Sequence, residues 1–234
     1  MTLPGEHTGP GSESPLLPGL YPATVHALDG DPLHLQRVQV ALDWLNSADG
    51  SGPPLAWAVV VSPYADSNQG QQMLPEIGST VVVGFQGGHA DHPYLLGGTW
   101  NGSAKMPADP TGDNNLRLVQ TRSGSRLEFD DTSGAAAVRL SAAGTADNQS
   151  KHSIVLDDAA GTITIHSASG ATVTLTAEGG VRIEAAATVD VSAAAVSVDA
   201  AVSDFSGIIT CDTLIATGGG VVSPSYTPGM GNVW

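Results

Sequence analysis

Basic residues are scarce in this chain: Lys and Arg number 8 against 23 Asp and Glu in 234 residues, a net charge of −15. A phosphate-binding surface needs clustered cations, so nucleic acid is excluded as a partner. Peripheral attachment to anionic lipid is excluded for the same reason. Cysteine occurs once, at Cys211, which rules out an intrachain disulfide and reads as a small apolar side chain. Aromatic residues are only 5%, while Gly and Pro number 29 and 15. That balance points away from helices and toward short strands and turns. No run approaches the ~18 apolar residues of a helical membrane span. The opening MTLPGEHTGPGSESP has no basic region followed by an apolar run, so no signal peptide is read there and synthesis in the cytoplasm is expected.

What is present is a repeat. Between Gly161 and Leu214 lie the apolar pairs Ile163/Ile165, Val173/Leu175, Val181/Ile183, Val189/Val191 and Val196/Val198. Each pair is spaced two apart, the period of a strand with one buried face. Val173, Val181 and Val189 recur every eight residues, with Gly170 and Gly179–Gly180 between strands. A short repeat with one strand each marks a β-solenoid or β-helix. Repeats this short and Ala-rich enclose little interior when coiled in one chain. Three chains wound about one axis would share a continuous apolar core and leave no lateral strand edge open. The ten paired residues are therefore the expected core of an intertwined trimeric needle, with a single-chain solenoid as the alternative.

In chain order, residues 1–19 read as a flexible arm or an adaptor to a partner. Residues 20–103 read as a compact β domain with strands at Leu20–Leu28, Arg37–Leu42, Leu55–Val61, Thr80–Phe85 and Tyr94–Thr99. Five short strands separated by Gly, Pro and Asp turns fit a small Greek-key barrel of the oligonucleotide/oligosaccharide-binding (OB) type. Arg37 is the one Lys or Arg before Lys105, which disfavours nucleic-acid binding by that barrel. Residues 104–134 form a linker and collar. There Arg117, Arg122, Arg126 and, just beyond, Arg139 accompany Glu128, Asp130 and Asp131, as inter-chain ion pairs or a solvated collar. Residues 135–217 are the needle, with earlier strands at Ala137–Ser141 and Ser153–Asp157 and a loop over Ala142–Lys151. From Asp157 to Thr217 it has eight carboxylates and one arginine, a charge balance that keeps a shaft from sticking sideways. Residues 218–234 form a tip segment. Its apolar group Tyr226, Met230, Val233 and Trp234 either seals the core or docks a separate tip protein.

Two stretches carry a resemblance. Trp57 with Val60, Gly70 with Pro75 and Gly78, Val81/Val83/Phe85, Gly88 with His89 and Pro93, and Gly97 with Asn101 follow one order and spacing. They resemble the barrel domain of trimeric spikes in contractile injection machines: the phage baseplate spike (baseplate assembly protein V) and the valine-glycine-repeat spike of type VI secretion. Val59 stands where that pattern has Arg. Thr121, Ser123, Gly124, Leu127, Glu128, Asp130, Asp131 and Gly134 resemble the family's junction with its needle. The resemblance implies an all-β protein, an OB-fold Greek-key barrel followed by a C-terminal intertwined trimeric β-helix needle. It also implies a homotrimer seated on a tail hub or baseplate protein at its N-terminal side. A PAAR-like tip protein is implied at the C-terminal end, with transient contact to the target cell envelope. The expected setting is a virion tail or baseplate, or an extracellular injection particle, made in the bacterial cytoplasm. The large hub-like domain of the secretion spikes is missing from the sequence, which favours a separate hub protein.

An enzymatic reading fares worse. Paired catalytic carboxylates need a cleft, and Asp157-Asp158 alternate across a strand in a repeat too narrow for one. The joint is too short for a lysozyme domain, and Ser123 lacks a nucleophile-elbow context. His89 and His92 straddle Asp91 without a further ligand cluster nearby in sequence. The His-x-His pair of iron-bearing family tips is missing, His166 being the last histidine. No enzyme activity, metal or cofactor is expected. The alternatives are a tail-tip receptor or glycan-binding adhesin and a polysaccharide-degrading tailspike.

Overall fold

The computed structural model describes residues 16–47, 50–143, 152–215 and 217–218. The tip residues Tyr226, Met230, Val233 and Trp234, and most of the arm and of the Ala142–Lys151 loop, lie outside the described residues. The chain separates into two units, Met1–Ile183 and Glu184–Trp234.

The first unit begins with a closed five-stranded barrel. Its strands are β1 (Leu20–Ala27), β2 (Val38–Ala41), β3 (Leu55–Val60), β6 (Thr80–Phe85) and β7 (Pro93–Gly98). A two-stranded hairpin, β4 (Ala65–Asp66) and β5 (Gln69–Gly70), interrupts the connection from β3 to β6. Barrel order is β1-β2-β3-β7-β6, closing back on β1. All pairings are antiparallel except β3 with β7. All five barrel strands fall within a residue or two of the positions read from sequence, because alternation and turn chemistry agree there. Alternating residues point inward: Ala23 and Val25, Val38 and Val40, Ala58, Val81 and Val83, and Leu95 are all buried. Tyr21 stacks on Trp44 at 4.4 Å and tilts against Phe85 at 5.7 Å between ring centroids, closing one flank of this core.

Two motif positions have clear local causes. Gly78, at φ +85°, occupies the left-handed region and donates its N–H to the Val25 carbonyl at 2.8 Å. It is the turn that brings the chain onto β6. Asn101 donates its side-chain amide to Thr80 Oγ1 at 3.1 Å, while its Oδ1 accepts the N–H groups of Ser103 and Ala104 at 3.2 and 2.9 Å. That residue ties the exit from the barrel to the start of β6.

The unit continues as a seven-stranded antiparallel meander. Its strands are β8 (Leu116–Gln120), β9 (Arg126–Asp130), β10 (Ala137–Ser141), β11 (Ser153–Asp157), β12 (Thr162–His166), β13 (Thr172–Leu175) and β14 (Val181–Glu184). Each strand lies beside its neighbours in sequence. β10 and β11 match the expected strands. β8 and β9 fall in the segment read as joint and collar, because their Arg and Glu side chains masked the alternation of LRLVQ and RLEFD. In the second unit the pairs Val189/Val191 and Val196/Val198 form no strand, and they are 60–72% exposed. This differs from the expectation of a strand at each pair. A β ladder needs a hydrogen-bonding partner, and one chain does not supply one there.

Candidate functional site

The register of the meander sorts its side chains into two faces, since directly opposed residues on antiparallel strands share a side. Val119 opposes Leu127, and Arg117 opposes Phe129. Leu127 opposes Leu140, and Phe129 opposes Val138. Ile154 and Leu156 follow across β10–β11, then Ile165 and Ile163, then Val173 and Leu175. The outcome is two apolar rows on one face, one crossing six strands from Val119 to Val173 and one crossing five from Phe129 to Leu175, with Arg117 at the end of the second. Their large side chains from Val119 to Leu175 stay 37–50% exposed, Val138 and Val173 excepted as more enclosed. A monomer seldom leaves so long a contiguous apolar surface in water. Ile163, Ile165, Val173 and Leu175 from the sequence-predicted core all lie on this face. Val181 and Ile183 are exposed on β14, while Val189, Val191, Val196 and Val198 lie in the other unit.

Sequence reasoning missed the other half of the surface: Val119, Leu127, Phe129, Val138, Leu140, Ile154 and Leu156. The signal was present as the same period of two, in strands without the eight-residue spacing.

The opposite face is polar. Glu128 bridges Arg126 and Arg139, and Arg139 also reaches Asp130, at 3.1 Å to Glu128 and 3.0 Å to Asp130. Asp130 is held below the usual carboxylate range by the hydroxyl and N–H of Thr132, then by Arg139. At the edges Arg117 pairs with Asp131 at 3.0 Å, and Arg122 reaches back to Glu76 of the barrel at 2.8 Å; both pairs are exposed. The arginines suspected of bridging between chains thus pair within one. Exposed pairs of this kind add little stability.

Among the described residues of the barrel one charge is buried. Asp31 accepts the N–H groups of Leu33, Leu35 and Arg37 and both Nε and Nη2 of the Arg37 guanidinium. The Arg37 hydrogen bonds hold its carboxyl far below the usual range. This clasp fixes the β1–β2 loop with His34 and Gln36 at φ +54° and +58°. Both ends of the charge are satisfied, and it offers no vacant coordination. Among the described residues no group of three or more His, Cys, Asp or Glu gathers to hold a metal ion. His89 and His92 sit in the β6–β7 turn, where the His92 N–H donates to the His89 carbonyl at 3.1 Å.

Among the described residues a closed OB-type barrel feeds a sheet with one uncovered apolar face. Comparison with known proteins says to which class of protein this belongs. Residues 21–100 match the type VI secretion system/phage-baseplate injector OB domain. Residues 145–203 match the phage baseplate V C-terminal trimerisation domain. Together these cover more than half of the chain, which belongs to the phage baseplate V and type VI secretion spike family. Among curated relatives, it is 28% identical over 138 residues to the type VI secretion system spike protein VgrG3 of Vibrio cholerae, across 55% of this chain and 13% of the relative. It is 27% identical over 134 residues to the spike proteins VgrG2a and VgrG2b of Pseudomonas aeruginosa, across 54% of this chain and 16% and 13% of the relatives. The chain therefore spans less than a fifth of the length of these relatives. The structure is all-β, as expected, and it has the barrel and the trimerisation domain that the resemblance implied.

Proposed function

We propose that this protein is a structural, non-enzymatic spike of a phage-like injection machine, acting as a homotrimer. The observation that carries the reading is the uncovered apolar face of the meander, whose strands from β11 onward lie in a segment matching a trimerisation domain. Three copies with these faces turned inward bury Ile163, Ile165, Val173 and Leu175 together with the seven residues of β8–β11 named above. The repeat from Val181 through Val198 then continues the core as an intertwined β-helix, each chain supplying the strand partners that the others lack. No chemistry is required of such a rod. Its work is mechanical: a shared dry core and closed hydrogen bonding make it stiff enough to transmit a contraction to the target cell envelope.

In this reading the barrel seats on a hub or baseplate protein, and the C-terminal end, with Tyr226, Met230, Val233 and Trp234, closes the tip or receives a PAAR-like tip protein. The setting is a phage tail or a related injection particle. Light scattering on the purified protein tests the association: the expected mass is three times the 23.6 kDa of one chain. A folded monomer at micromolar concentration would overturn it. Particles assembled without the protein are expected to have lost penetration of the target envelope, and undiminished penetration counts against the mechanical role.

A further inference from the structure

Asparagine occurs seven times in the chain, and at Asn101 alone is the next residue glycine. The pair lies on an exposed turn just beyond β7. Three groups hold the Asn101 side chain there. Its Oδ1 accepts the N–H groups of Ser103 and Ala104 at 3.2 and 2.9 Å, and its Nδ2 donates to Thr80 Oγ1 at 3.1 Å. The Asn101 N–H donates to the Ala104 carbonyl at 3.3 Å and closes the turn. Gly102 sits at φ +86°, and a Cβ added to it would meet nothing within 4 Å. The Gly102 nitrogen and Asn101 Cγ are the two atoms whose bonding would close a five-membered ring.

We propose that Asn101 is a self-modification site, which converts to isoaspartate and aspartate through a cyclic imide. The Gly102 nitrogen gives its proton to water and bonds to Asn101 Cγ, while the Cγ–Oδ1 π electrons move onto Oδ1. As that carbonyl reforms, the Cγ–Nδ2 bond breaks, and Nδ2 takes a proton from water and leaves as ammonia. Water then opens the imide at either carbonyl, giving isoaspartate or aspartate at position 101. One water is consumed and one ammonia released, with no oxidation or reduction.

The turn assists this chemistry in two ways. Negative charge develops on Oδ1 during the attack, and two N–H donors already point at that atom. The turn also holds electrophile and nucleophile together, which spares the search that an unfolded chain must make. Thr80 is a positioning residue: by taking the Nδ2 hydrogen bond it turns Oδ1 toward the two donors. Glycine at 102 leaves its nitrogen unscreened and tolerates the left-handed φ. Isoaspartate lengthens the main chain by one methylene and moves the side chain, so in that product the tie from the barrel exit to β6 is lost. The site is an ageing point of the barrel, whatever the state of association.

The test incubates the full chain near neutral pH, folded in buffer and unfolded in urea. Peptide mass spectrometry follows deamidation, and enzymatic methylation detects isoaspartate. One oxyanion donor is worth about 10²–10³ in rate inside an enclosed enzyme site, so an exposed pair is expected to give at least about tenfold. The peptide holding Asn101 should therefore react at least about tenfold faster in the folded chain than in the unfolded one. Its rate should rise with pH, as the attacking nitrogen must lose a proton, and those holding Asn46, Asn68 and Asn115 should lag well behind. G102A is expected to slow the reaction by a similar factor. T80V, checked as folded by circular dichroism, should bring the folded rate down toward the unfolded one. The proposal is overturned by a folded chain that reacts no faster than the unfolded chain, or by aged protein free of isoaspartate at position 101. A folded T80V that keeps the wild-type rate overturns the role of Thr80.

Discussion

Substituting Ile165 by Asp separates the open apolar face from every other feature of the sheet. Within one chain Ile165 opposes Ile154 and Val173. Cross-strand pairs are worth roughly 0.2–1 kcal/mol each, so the isolated meander loses at most about 2 kcal/mol. In a trimer the cost is of another order. A polar group buried without a partner costs roughly 1–3 kcal/mol by mutational measure, and an ionised one more. Three copies around one axis therefore lose at least about 3–9 kcal/mol before like-charge repulsion is added, comparable with the whole stability of a domain at roughly 5–15 kcal/mol. Asp at Thr164 is the control, because that residue opposes Val155 and Thr174 on the polar face. Its expected cost is about 1 kcal/mol or less. Light scattering with circular dichroism as a folding check is the assay: I165D is expected as a monomer retaining strand signal, and T164D as a trimer. A trimeric I165D with an unchanged unfolding midpoint, or a T164D as disruptive as I165D, would refute the assignment of faces.

Acidification should weaken both halves of the first unit. The carboxyls of Asp31 and Asp130 are lowered in the folded state, by the Arg37 guanidinium and by the Thr132 hydroxyl respectively. Their contributions are thus complete above the unfolded carboxylate value of about 3.9 and disappear as pH falls below it toward the folded values. Melting curves from pH 7 to pH 2 should drop steeply below about pH 4, and D31N should be less stable at pH 7 with a shallower acid limb; a parallel acid limb in D31N counts against the clasp. G70A sets a Cβ 2.6 Å from the Tyr64 carbonyl oxygen at φ +145°, so the β4–β5 hairpin should open at a cost of about 1–3 kcal/mol. Faster proteolysis between residues 62 and 71 with unaltered oligomer mass is the expected readout, and wild-type resistance would contradict it. N101A removes three hydrogen bonds at the barrel exit and should lower barrel stability by roughly 1–3 kcal/mol, measured as a shifted denaturant midpoint, without changing the oligomer mass. An unshifted midpoint argues against that tie.

Much of the barrel was legible from the chain alone because its information is local. Val38/Val40 and Val81/Val83 alternate, glycine and proline mark the ends, and each alternating residue turns out buried. The spacing of Ile163, Ile165, Val173 and Leu175 likewise implied one shared face, which they form without being buried in the single chain. Three things were not legible. Asp31 and Arg37 are six residues apart and look like ordinary surface charges until the loop folds round them. β8 and β9 were hidden by the charges that their polar face presents. Phe129 joined the apolar surface only through its register with Val138 and Arg117.

Composition and period by themselves determined that this is an all-β chain and that its barrel has five strands, and they raised the expectation that the C-terminal repeat encloses little core alone. Those conclusions follow from residue type and spacing, which folding does not alter. Tertiary structure decided which apolar residues remain uncovered, and that the strands of residues 116–184 pair within the chain while Val189 to Val198 find no strand partner among the described residues. Pairing and cover depend on which distant segments meet, and a strand's period carries no record of its neighbour.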